Sequence, residues 1–318
     1  MKKRWLLPLV LVLAFLLISC RGRVPQGERP VDTATALREV QTGTQGVGAR
    51  LLPNYPPPVL YRDNELVAIV ELNNKGNHDL DSSSCFVQIT GFDPNIIQGG
   101  FGATRRCTEN IGTFEGKNVY NLPGGINNLE FRSSSLNLPP GVVEYAPKLN
   151  VVTCYTYETT ASPLICLDPL LYQVTSEQKS CQPMDISLGG GQGGPVSVGY
   201  VGVDMVGSKA VFEINVRAQG TGRVLSPNAD ISRCAGTALD YTDIDKVEYD
   251  VSLTSTGPLD CKPQDGIVRL SNGQGKIVCT AQVPGGSAFE TPLLIHLRYA
   301  YIDSLLKPIK IIQTPGAG

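Results

Sequence analysis

The chain has 318 residues, with 27 Lys and Arg against 29 Asp and Glu, a formal net charge of −2 and only two histidines. This balance excludes the cationic surface of a nucleic-acid binder, and the length is enough for two domains, each with its own core. Nine cysteines point to cross-links more than to catalysis.

Lys2, Lys3 and Arg4 open the chain, and an apolar run from Trp5 to Ile18 follows, interrupted only by Pro8. That is the layout of an export signal. A helix spanning a bilayer needs about 20 apolar residues, and this run has 14. Leu17, Ile18, Ser19 and Cys20 look like a lipobox, which predicts cleavage before Cys20 and a lipid on its thiol. The competing reading, a buried thiol in an uncleaved signal, leaves unexplained why charge, apolar core, small residue and cysteine arrive in this order. Two acyl chains hold a protein on a membrane stably, where one holds it only marginally. Residues 1–19 are therefore read as a signal peptide. Its removal leaves 299 residues with 24 basic and 29 acidic side chains, a formal charge of −5.

Residues 20–45 are small and polar, with a short helical turn at 35–40, and read as a flexible stalk. After PNYPPP at 53–58, which stiffens the chain, strand signals dominate. They are ELVAIVEL (65–72), CFVQITGF (85–92), NVYNL (118–122), NNLEF (127–131), PKLNVVTCYTYET (147–159) and SPLICL (162–167). Residues 187–195 hold five glycines in six positions and read as a Gly-rich linker. Strands resume at 196–205, 209–218 and 246–254, with a hairpin around Asn272-Gly273 in 266–283, then 292–301 and a final KPIKII. No segment after the signal keeps a helical period. Short strands at this spacing predict an all-β fold of two tandem immunoglobulin-like β-sandwiches, residues 46–186 and 196–314.

The two halves also repeat each other. LPPGVVEYAPKL (138–149) aligns with VPGGSAFETPLL (283–294), setting Pro139 on Pro284, Gly141 on Gly286 and Pro147 on Pro292. Tyr155 and Tyr157 answer Tyr299 and Tyr301 after a one-residue slip, and VAIVELNNKG matches VFEINVRAQG. One domain type has been used twice. A strand ending in Asn-Lys-Gly, followed by an alternating run such as CFVQITGF, resembles the cell-adhesion-related (CARDB-type) immunoglobulin-like modules of archaeal surface lipoproteins. The resemblance covers most of residues 40–313. It implies a fold and a place at the cell surface, with no activity attached, and it departs from the family in its many cysteines.

Catalytic chemistry has little to stand on. There is no Cys-x-x-Cys, Gly-x-Ser-x-Gly or HExxH sequence, and the glycines at 189–194 are followed by no lysine that could hold phosphate. His78 falls in a turn, and His296 reads as a half-buried strand residue. Asp240, Asp243 and Asp245, with Asp79 and Asp81 in the first half, are weak candidates for calcium, since the EF-hand spacing is absent. The four tyrosines alternate along late strands and read as core or corner residues.

Setting Cys20 aside leaves Cys85, Cys107, Cys154, Cys166, Cys181, Cys234, Cys261 and Cys279, an even set in an exported chain and hence up to four disulfides. Sequence proximity suggests Cys85–Cys107, Cys154–Cys166 and Cys261–Cys279, with Cys181–Cys234 left over. Five of the eight precede the glycine segment and three follow it, so complete pairing requires at least one bridge across it. The expectation is a non-enzymatic, lipid-anchored cell-surface protein without a cofactor. Its partners would be the membrane, through Cys20, and an envelope protein or polysaccharide. The alternatives are a self-associating subunit of a surface layer or filament, joined by strand addition, and a calcium-dependent carbohydrate binder.

Overall fold

The computed structural model describes residues 33–174, 178–236, 238–254, 257–284 and 286–314. The expected signal peptide, Cys20 and the first part of the expected stalk lie outside the described residues. Residues 36–318 form one compact unit. The stalk's expected helical turn is helix α1 (Thr33–Val40).

The fold is all-β. In the first half the principal strands are β1 (Val47–Leu51), β2 (Val59–Tyr61), β3 (Val67–Asn74), β4 (Cys85–Thr90), β5 (Ile126–Arg132), β6 (Lys148–Ala161) and β7 (Leu164–Leu167). The second half supplies β8 (Val196–Val206), β9 (Lys209–Ala218), β10 (Arg223–Leu225) and β11 (Lys246–Leu253). It continues with β12 (Asp260–Lys262), β13 (Gln274–Gln282), β14 (Phe289–Pro308) and β15 (Lys310–Ile312). In β3 and β9 every second residue is buried, the period of a strand with one face on a core. The buried set includes Val70 and Leu72 of β3 and Phe212 and Ile214 of β9. Each such side chain contributes about 1.5–3 kcal/mol by leaving water.

Three sheets build the body. Strands β1, β3 and β5 make one, and β8, β9, β13 and β12 make another with the short strand Ile186–Ser187. The third is a nine-stranded sheet whose heart is β11-β14-β6-β4. Strands β6 and β14, which come from opposite halves, pair antiparallel from Lys148↔Pro308 to Ala161↔Ile295. Tyr155 stands opposite Tyr301, and Tyr157 opposite Tyr299. Thr156 and Ala300, which the repeat makes counterparts of each other, also face each other, so a local twofold axis passes between them. The two halves therefore share a sheet and a single continuous core.

This arrangement corrects the expected linker. Gly191, Gln192, Gly193, Gly194 and Pro195 are buried. The Gly43 N–H donates to the Gly190 carbonyl at 2.8 Å, the Gly193 N–H to the Gly43 carbonyl at 2.9 Å, and the Asn77 N–H to the Gly193 carbonyl at 3.0 Å. Segment 189–195 is a strap laid against both the end of the stalk and the first half. Its glycines serve close approach rather than flexibility: a Cβ at Gly194 would collide with Thr159 and crowd the Tyr299 hydroxyl.

Three local readings also change. NVYNL is a tight turn, closed by backbone bonds between Asn118 and Asn121, instead of a strand. The Asn272-Gly273 turn is present, with both residues at positive φ, but the runs on either side part company. Ile267–Arg269 joins β11, whereas β13 joins β9. Strand β7 pairs with β14 and makes no hairpin with β6.

All eight cysteines after Cys20 are bridged. Cys85–Cys107 and Cys261–Cys279 form as expected. The other two bridges are Cys154–Cys234 and Cys166–Cys181, which corrects the pairings Cys154–Cys166 and Cys181–Cys234. The reason lies in the pleat. Cys154 faces away from Tyr155, into a small cluster with Val152, Ala300 and Cys234 on the other side of the sheet, where Cys166 does not reach. Cys154–Cys234 is the bridge that crosses the glycine segment.

Candidate functional site

The local twofold axis organises the chemistry of the centre. Tyr155, Tyr157, Tyr299 and Tyr301 are all buried, and neighbouring rings contact one another with centroids 5.6–6.3 Å apart. Each ring ends against a glycine: Gly46, Gly76, Gly194 and Gly220 respectively. A Cβ at Gly76 would strike the Tyr157 hydroxyl, and one at Gly220 would strike that of Tyr301. The Tyr157 hydroxyl accepts from the His78 N–H at 3.2 Å, and the Tyr301 hydroxyl from the Gly222 N–H at 2.7 Å. Gly76 and Gly220, His78 and Gly222, and Tyr157 and Tyr301 are counterparts at one constant spacing in the repeat. The same corner has been built twice.

Burial raises the hydroxyl pKa of Tyr155, Tyr157 and Tyr299 well above the usual tyrosine value, and pushes that of Tyr301 up to about 12. These hydroxyls are neutral, and those of Tyr157, Tyr299 and Tyr301 serve as structural hydrogen-bonding groups. Both histidines are similarly engaged. His78 packs edge-on against Tyr157 with centroids 5.2 Å apart, and burial lowers its pKa. His296 sits half-buried on β14, its Nδ1 3.2 Å from Glu158 and 3.2 Å from the Thr160 hydroxyl.

The aspartates considered for calcium do not converge. Among the described residues no group of three His, Cys, Asp or Glu side chains is placed to hold a metal. Asp240 caps the short helical turn Tyr241–Asp243, accepting from the Thr242 N–H at 2.8 Å and its hydroxyl at 2.9 Å, which lowers its pKa. Asp245 pairs with Arg223 at 3.2 Å, and the Asp243 carbonyl accepts from the Ser226 N–H. In the first half Asp79 accepts from the Gly116 N–H at 2.7 Å, and Asp81 from the N–H and hydroxyl of Ser83 at 2.7 Å. The carboxylates of Asp240, Asp79 and Asp81 thus hold local backbone in turns, while that of Asp245 is taken up by Arg223.

The open space lies on the other face of the central sheet. A groove of about 710 Å³ runs over β6 and β14 beside the Cys154–Cys234 bridge. Val152 and Ile302 give it an apolar floor, Asn150, Arg223, Asp303 and Ser304 line it with polar groups, and Leu239 stands at its rim. The Asn150 Oδ1 is buried without a hydrogen-bond partner among the described residues. Sequence reasoning missed this site. The lone asparagine in the apolar run KLNVVTC was its only signal, because Arg223 arrives on the short strand β10 and Leu239 on a separate loop.

A second feature also went unseen. Between Cys166 and Cys181, Lys179 donates to the buried Asp168 carboxylate at 2.6 Å and to the carbonyls of Leu170 and Leu171 at 2.9 and 3.2 Å. The base of this loop is thereby fixed while Tyr172 stays exposed.

No protein-family model matches the chain, and no curated protein matches it. Among solved structures, the secreted serine protease VesC from Vibrio cholerae is similar over 87% of this chain and 53% of that one, at 10% identity and a TM-score of 0.20. The match thus spans about half the length of that protease, and a likeness this loose carries no argument about fold or activity.

Proposed function

We propose that the chain is an exported surface protein, held on the membrane by lipid at Cys20, that binds an envelope protein or polysaccharide without catalysing a reaction. Its kinship would be with CARDB-type surface modules. The observation that carries this reading is the pairing of the other eight cysteines into four disulfides. Such a set belongs to an oxidising, extracytoplasmic compartment, and it leaves Cys20 as the one cysteine without a cysteine partner. The absence of catalysis is supported by the engagement of His78, His296 and the candidate aspartates in structural bonds. The shared sheet suits a rigid body that holds its loops at a fixed distance from an anchor.

Metabolic labelling with a fatty-acid or isoprenoid precursor, followed by membrane fractionation, tests the proposal. Label is expected on the native chain and in the membrane fraction, and Cys20→Ala should lose the label and the membrane association together. An unlabelled native chain, or a Cys20→Ala variant that stays labelled, would overturn it.

A further inference from the structure

The groove over β6 and β14 has the size of a small-ligand site, within the roughly 300–1,000 Å³ typical of such pockets. Its floor lies where the halves meet: Val152 is the register partner of Ser304, and Arg223 stands opposite Ile302. Its chemistry is mixed and close to electrically balanced. Arg223 already bonds Asp245, and Asp303 adds a carboxylate to the lining, which leaves no net positive charge for an anion. What remains is a guanidinium with N–H groups to spare, the Ser304 hydroxyl and the Asn150 amide, whose oxygen has no donor. A buried acceptor without a donor is uncommon in a native fold and asks for a missing partner. Asn150 itself is part of the groove's lining.

Donors and acceptors alternating around an apolar strip match a ring that carries hydroxyls on its edge and C–H groups on its face. We propose that this groove binds a short neutral saccharide, its apolar face on Val152 and Ile302 and its hydroxyls on Arg223, Ser304 and Asn150. This rests on the reading of the chain as a binding protein and names its ligand class and site. The binding requires no calcium: the carboxylate that lines the groove, Asp303, accepts from the Thr221 hydroxyl and the Ser304 N–H, and among the described residues no three ligands converge on a metal.

The full-length, lipidated chain in detergent micelles is titrated by saturation-transfer NMR with glucose, galactose, mannose, N-acetylglucosamine and their disaccharides. Oligogalacturonate serves as the acidic control. Saturable millimolar binding of at least one neutral sugar is expected, unchanged by EDTA. Arg223→Ala should weaken it about tenfold, the loss of a hydrogen bond to a charged group. Leu239→Trp, at the exposed rim, should block it sterically without touching the core, and Tyr172→Ala, outside the groove, should leave it unchanged.

Three results would each overturn the proposal: no saturable binding by any neutral sugar, binding indifferent to both groove variants, or a preference for oligogalacturonate. If sugar binding fails while Cys20 still carries lipid, the groove assignment falls and the anchored reading stands. Sugar binding by a chain that carries no lipid gives the converse.

Discussion

The two tyrosine corners are built to one plan and sealed differently. In the first, Gly76 is hemmed by both the Tyr157 hydroxyl and the carbonyl of Gly193 in the strap, and the His78 ring closes over the side. The Tyr157 hydroxyl also donates at 3.1 Å to Asn74, whose amide bonds the carbonyls of His78 and Phe114. In the second, glycine replaces His78, no equivalent of Asn74 bonds Tyr301, and a cavity of about 130 Å³ opens beside the ring. A repeat can keep a backbone bond while its packing diverges. The strap reaches both corners, Gly76 through the Gly193 carbonyl and Gly220 through Pro195, but only at Gly76 does its backbone stand where a Cβ would go.

The sharpest way to break the comparison is to cut the bridge that leaves the first corner's strand and has no counterpart on the second's. Cys154 has Arg298 as its counterpart in the repeat, so the second corner has nothing to match it. Replacing Cys154 and Cys234 together by serine should cost about 3–4 kcal/mol in denaturant unfolding, the cost expected for freeing a long loop. Next come the glycines. Gly76→Ala and Gly220→Ala should each destabilise by about 2–3 kcal/mol through overpacking. Adding Tyr301→Phe should recover much of the second loss, since the hydroxyl is the obstacle. Tyr157→Phe should fail to rescue the first, because the Gly193 carbonyl remains in the way. Double-mutant cycles measure both.

Hydroxyl removal alone is milder. Tyr157→Phe should cost about 2 kcal/mol, since it strips partners from Asn74 and from the His78 N–H, against about 1 kcal/mol for Tyr301→Phe. The smallest effect is a pH dependence confined to the first corner. Burial depresses the His78 pKa in the fold, so below the unfolded value of about 6.5 the unfolded chain binds the extra proton and stability falls with pH. Melting temperatures from pH 8 to pH 5 should show this slope in the native chain and a shallower one in His78→Gln.

Much of this was legible in the residues, for a physical reason. Strands β3 and β9 bury one face, so alternation marked them, and the repeated tyrosines and glycines marked the corners. Cysteine parity required a bridge across the glycine segment. Strands β6 and β14 were found, but not their partnership. Val151, Val152, Thr153, Cys154 and Tyr155 are all buried, so β6 has no solvent face by which a register could be read. Glycines in a strap and in a flexible tether look the same until a hydroxyl is seen resting on one. The groove was invisible for a similar reason: its walls are brought together by pairing between halves, which no local pattern encodes.

The Cys154–Cys234 bridge has one more consequence. A sheet seam built from equivalent strands is self-complementary, and two chains could in principle trade halves across it, the first half of each copy pairing with the second half of the other. Such exchange would thread neighbouring molecules into swapped dimers or chains. A covalent bond between a first-half strand and a second-half turn of the same molecule closes that route once it has formed in cis, and fixes each half to its own partner.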